Sequence, residues 1–140
     1  MPGGLEFVDT NVLVYAYDRA GGEKRARAIA LLERLVAQRR LALSLQVLQE
    51  FYVVATRKLP VPLEPQVAYQ VLKDLGKARL HTPSLEDVLQ AARLSERHLL
   101  SFWDAMILQS ARALGARVVW SEDLNPADYG GVRVENPFAW

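Results

Sequence analysis

Apolar positions along this chain recur in two rhythms, short unbroken runs and longer stretches spaced at three and four residues. Leu5–Val8 is an apolar run closed by the polar cluster Asp9-Thr10-Asn11, the pattern of a buried strand, and a helix is predicted from about Asn11. After a Gly-Gly break, "GGEKRARAIALLERLVAQRR" puts Ala26, Ile29, Ala30, Leu32 or Leu35 and Val36 on one face of an amphipathic helix. Leu41–Ser44 reads as a second strand, and Ser44 is placed to cap a helix through Gln46–Arg57. "LPVPLEPQ" interrupts the pattern as a loop, and Pro65 suits the first turn of a helix running to about Leu75. "RLHTP" offers a third strand, Arg117–Ser121 a fourth and "VRVENPF" a fifth. Ser84-x-x-Asp87 and Ser101-x-x-Asp104 have the form of capping boxes with Asp in place of Glu, each opening a further helix.

Strands alternating with helices predict an α/β fold with a central, mostly parallel five-stranded sheet. No repeat, low-complexity tract or long linker divides the 140 residues, so a single domain over 1–140 is expected. In open sheets of this kind ligands bind beyond the carboxyl ends of the strands. Asp9 ends the first predicted strand, and Asp123 lies just past the fourth.

Two further acids stand on predicted apolar faces. Glu50 has Val47 at i−3 and Val54 at i+4, while Asp104 is followed by Ile107, Leu108 and Ala111 at helical spacing. An ionised carboxylate is costly to bury without a partner. Each acid has an ordinary explanation alone: Asp9 as a helix cap, Glu50 as a partner of Arg57, Asp104 as the third residue of a capping box, Asp123 as a turn former. Gathered in one cleft they need compensation, because like charges about 4 Å apart repel by about 4 kcal/mol at an effective dielectric of about 20. Oxygen ligands without His or Cys point to Mg²⁺ or Mn²⁺, ions that activate water and stabilise phosphoryl oxygens.

Composition narrows the field. Hydrophobic residues at 51% and charged residues at 24% are ordinary for a soluble globular chain. The absence of cysteine excludes disulfides, thiolate chemistry and Cys-based zinc sites. "MPGGLEF" lacks the basic and apolar regions of a signal peptide, and no apolar run approaches the ~18–20 residues of a membrane span, so a cytoplasmic protein away from the membrane is expected. Net charge is only +1, yet with four Lys among 17 basic residues the remaining 13 are Arg. A GC-rich coding bias accounts for that excess, so charge permits a nucleic-acid partner without arguing for one. His81 and His98 show no metal-ligand spacing and are expected to be structural or surface residues. Trp103 and Trp140 are expected to anchor a core or an interface rather than to stack on bases.

Taken in order, "FVDTNVL", "LQEFY", "FWDAMILQSARALGA", "VVWSEDLN" and "VRVENPF" resemble the PIN-domain family over nearly the whole chain. More narrowly they resemble the VapC-type toxins of toxin–antitoxin pairs. The resemblance implies a three-layer PIN-like fold and a Mg²⁺- or Mn²⁺-dependent endoribonuclease, with Asp9, Glu50, Asp104 and Asp123 as the catalytic and metal-holding acids. Thr10 and Asn11 match the family's "DTN", and Ser121 stands where members commonly carry Thr or Ser; all three are expected to orient the acids or the substrate. Glu122 adjoins Asp123 and Asp128 lies in the same loop, so either could share its role. The implied partners are RNA, a small cognate antitoxin and a second copy in a homodimer. Arg19, Arg25 and Arg57 are candidates for drawing RNA inward, and Tyr15 and Tyr17 put aromatics near the acids for a protein partner.

Two rival readings fail on residue bookkeeping. A phosphatase of the haloacid-dehalogenase type needs D-x-D, and here the second position is Asn11. A receiver domain needs a Lys after a late strand, whereas the four Lys all precede Asp104. A PIN-like module that binds RNA or protein without cutting remains the alternative.

Overall fold

Phe7, Val8, Ala42, Leu43 and Val119 are fully buried, as strands covered on both faces require. The structure, a computed structural model, describes residues 4–139; Trp140 and the first three residues of "MPGGLEF" lie outside them. The elements run β1 (Glu6–Val8), α1 (Thr10–Ala16), α2 (Gly22–Ala37), β2 (Leu41–Ser44), α3 (Leu45–Arg57) and α4 (Pro65–Leu75). They continue with β3 (Arg79–His81), α5 (Leu85–His98), α6 (Phe102–Ala113), β4 (Val118–Trp120), β5 (Asp128–Tyr129) and β6 (Val132–Glu135).

The sheet has six strands in the order β3-β2-β1-β4-β6-β5, not the five expected. All pairs are parallel except β5 with β6. The extra strand is a hairpin arm: Tyr129 pairs with Val132 across Gly130 and Gly131, whose φ values of +65° and +95° suit glycine in a two-residue turn. Strand order reverses between β1 and β4, so those two carboxyl ends border the crevice at the topological switch point.

Helix starts follow the predicted chemistry. Ser44 accepts from Val47 N at 3.3 Å. Ser84 and Asp87 close a full capping box. Ser101 caps α6 by accepting from Asp104 N at 3.1 Å, but Asp104 does not return the bond to its cap. The core face of α2 differs from the expected one: Ala28, Leu31, Leu32 and Leu35 are buried, whereas Ala26, Ala30 and Val36 face solvent. Three leucines bury far more apolar surface than alanines at the same angle, so they set the helix rotation. Among the described residues no helix is long and apolar enough to cross a membrane.

Candidate active site

A cleft of about 830 Å³ opens at the switch point, and Asp9, Glu50, Asp104 and Asp123 all line it. Asp9 leaves the end of β1 as the N-cap of α1: its Oδ1 accepts from Thr10 N at 2.7 Å, and its own N–H donates to Trp120 O at 3.0 Å. The helix-cap reading is therefore true of Asp9, and its other oxygen still faces the cleft network. Glu50 enters from the middle of α3 and Asp104 from the first turn of α6. Asp123 follows β4 and is exposed.

The three polar companions bind the acids together. Thr10 Oγ1 donates to Glu50 Oε1 at 2.7 Å, a contact that replaces the expected Arg57 partner. Asn11 Nδ2 lies 3.1 Å from Asp9 Oδ2 and 3.3 Å from Asp123 Oδ2, and Asn11 Oδ1 accepts from Glu122 N at 2.9 Å. Ser121, fully buried, donates to Asp9 Oδ2 at 2.9 Å and accepts from the N–H groups of Asp123 and Leu124 at 3.2 Å. One hydroxyl thus closes the turn after β4 and orients a carboxylate from β1.

Charge in the cleft is unbalanced. None of the ion pairs among the described residues involves Asp9, Glu50, Asp104 or Asp123. Burial pushes the Asp9 carboxyl up to about 6; the Ser121 and Thr10 bonds oppose this, and the charges of Glu50 and Asp104 add to it. A cation placed here would relieve that repulsion, and an all-oxygen donor set suits a hard divalent ion. Among the described residues, however, no three carboxylates or imidazoles form a ready-made metal cage. A hard ion such as Mg²⁺ keeps several waters and needs few direct protein ligands, so Asp9, Glu50, Asp104 and Asp123 would be the residues to hold it.

The neighbouring acids play other parts. Glu122 is paired with Lys24 and accepts from Tyr15 OH at 3.1 Å, so its charge is already compensated at the cleft wall. Asp128 belongs to β5, is exposed and accepts from Gly131 N at 2.7 Å, outside the cleft lining. Arg19, Arg25 and Arg57 do not line the cleft either; Lys58 does, with Gln46, Gln49, Val53 and Trp103. Tyr15 lines the cleft as expected, whereas Tyr17 packs edge-on against Phe51 at 5.3 Å, away from the cleft lining.

Both histidines are structural. His81 is buried between Ser110 Oγ at 2.8 Å and Asp87 Oδ2 at 3.1 Å, and His98 stands edge-on to Tyr129. Of the two roles expected for Trp103, core or interface anchor, the first does not hold: it is 63% exposed and forms no part of the core. As the second residue of α6 it stands on the face opposite the buried Ala105 and Leu108.

Comparison with known proteins adds kinship. The family model of the PIN domain matches residues 7–132. A toxin–antitoxin complex from Klebsiella pneumoniae superimposes with a TM-score of 0.69 at 21% identity, covering 95% of this chain and 98% of that one. VapC20 from Mycobacterium tuberculosis, described as a Sarcin-Ricin loop cleaving toxin, gives 0.65 at 22% identity over 84% of this chain and 91% of its own. DNA-bound VapBC from Salmonella typhimurium gives 0.65 at 18% identity over 96% and 98%. No curated protein sequence matches.

Proposed function

The chain belongs to the PIN-domain family, and from that premise we propose that it is a Mg²⁺- or Mn²⁺-dependent endoribonuclease, the toxin of a VapBC-type pair. On this reading residues 1–140 form one functional unit that acts in the cytoplasm, dimerises and is held in check by a small antitoxin. The observation that carries it is the convergence of four acids on one cleft with, among the described residues, no cationic side chain paired to them. Support for the partner comes from neighbours of the same fold that are themselves toxin–antitoxin complexes.

Asp9, Glu50 and Asp104 would hold the ion, with Asp123 assisting from the turn after β4. When bound, such an ion supplies an activated water and offsets charge on the phosphodiester. The chain's own residues do the rest. Thr10 fixes the rotamer of Glu50, and Asn11 with Ser121 fixes Asp9. Asp9, its carboxyl pushed up to about 6 by burial, is charged at neutral pH at a cost that a bound cation would offset. Lys58 supplies the cleft's positive charge for a substrate phosphate. A basic side chain of an antitoxin, inserted among the acids, would block the same site by neutralising it.

Cleavage of RNA by the purified protein in Mn²⁺, abolished by chelator, tests the proposal. Asp9→Asn and Asp104→Asn should each lower the rate more than about 100-fold with the fold intact by circular dichroism. A fully active Asp9→Asn protein would sink it. The second reading is a PIN-like module that binds RNA or protein without cutting. It predicts RNA or protein binding with no metal-dependent cleavage.

A further inference from the structure

An exposed tryptophan on the wall of the acidic cleft offers a flat π face to whatever enters it. Trp103 is 63% exposed, lines the same cleft as the acids and immediately precedes Asp104. Its position is fixed from two sides. Phe102 packs edge-on against the indole at 5.2 Å, and Gln46 Nε2 donates to the Trp103 carbonyl at 3.3 Å.

We infer that Trp103 forms a nucleobase subsite: one unstacked base of a single-stranded RNA lies on the indole face, which Phe102 and the Gln46 bond to the Trp103 carbonyl hold at the cleft wall. The inference rests on the ribonuclease reading above. A strand whose phosphate sits at the acids must place a flanking base within reach of the cleft wall, and single-stranded RNA is recognised chiefly by stacking bases on aromatic side chains. Lys58, on the same wall, suits the strand's charge. The ring shares one cleft with the acids and Lys58, a charged lining that suits a phosphate-bearing strand better than an apolar protein segment, so RNA is the occupant the observations favour.

The test measures binding of an end-labelled, mixed-sequence single-stranded RNA to Asp9→Asn protein, alone and with Trp103→Ala or Trp103→Phe. Abasic residues are scanned through the probe one position at a time, and cleavage by otherwise wild-type protein is followed in parallel. Trp103→Ala should weaken binding about tenfold, Trp103→Phe much less. At one position an abasic residue should weaken the parent protein and leave Trp103→Ala unaffected. The inference is overturned if Trp103→Ala binds like its parent, or if no abasic position distinguishes the two. It is equally overturned if Trp103→Ala merely elutes as a smaller species, which would make the ring a contact between protein copies. Should the wild-type protein cut no RNA, the ribonuclease reading fails, and the binding series still decides for or against the subsite.

Discussion

Glu6 in β1 and Asp9 just past its end stand three residues apart, and their carboxyls are driven in opposite directions. Burial pushes both up, but Glu6 is gripped by Arg34 at 3.0 Å and by Trp120 Nε1 at 2.8 Å, with Arg40 nearby, and ends below its ordinary range. Asp9 has hydrogen bonds but no cation, and ends near 6. Its folded value lies above the ordinary 3.8, so the folded state binds the proton more tightly than the unfolded chain. Ionised Asp9 therefore destabilises the ion-free protein, fully above about pH 6 and not at all below about pH 4. Asp9→Asn should raise ion-free stability at neutral pH, with each pKa unit worth about 1.4 kcal/mol and the total on the order of 3 kcal/mol at most. Denaturant unfolding across pH checks this, the two proteins converging at acid pH. The position of Asp9 was legible because a carboxylate interrupts an apolar run. The fate of Glu122 was not: its partner Lys24 lies 98 positions away, and a pair at that distance leaves no local pattern.

Two helices opened by the same Ser-x-x-Asp pattern show what an element adds to a sequence. In α5 the pattern closes on itself, and Asp87 also accepts from Gln109 at 3.0 Å and faces His81. The Ser84 N–H bond foremost, then Gln109, hold its carboxyl down to about 2. In α6 the serine caps, but Asp104 leaves its carboxylate to the cleft. Asp87→Ala should cost about 1–2 kcal/mol of stability and leave RNA cleavage unchanged, measured by thermal unfolding and by rate. Because the folded carboxyl is depressed, that stabilisation is complete above about pH 4 and lost as pH falls toward 2. An unaltered melting temperature at pH 7 would remove Asp87 from the structural account. Most helices were legible from such caps. The β5 arm was missed because a two-residue strand is too short to show alternation, although Gly130-Gly131 marked its turn. The rotation of α2 was missed because alanines were weighed like leucines.

Across the whole molecule, the reversal of strand order between β1 and β4 brings residues over 100 positions apart into one network. The order of the acids along the chain was legible; their meeting depended on a topology that no single segment encodes. The Lys24–Glu122 pair ties α2 to the turn that carries Asp123, and Lys24 also lies over the rings of Tyr15 and Phe138 at 5.2 and 5.6 Å. Exposed pairs stabilise by at most about 1 kcal/mol. Lys24→Ala should therefore lower the melting temperature little while weakening Mn²⁺ binding about tenfold by calorimetry, since groups supporting a ligand loop commonly matter by that factor. Equal affinity in the two proteins would reduce the pair to surface decoration. On the function proposed above, the four acids together form a metal site, kept at a cost to the ion-free fold. Thermal unfolding at neutral pH, with and without millimolar Mn²⁺, for the wild type and Asp9→Asn tests it most directly. Without Mn²⁺ the variant should melt higher; with Mn²⁺ at about 100 times its Kd the wild type alone should gain about 2.7 kcal/mol. Mn²⁺ that leaves the wild type unmoved, or stabilises both proteins equally, would contradict it.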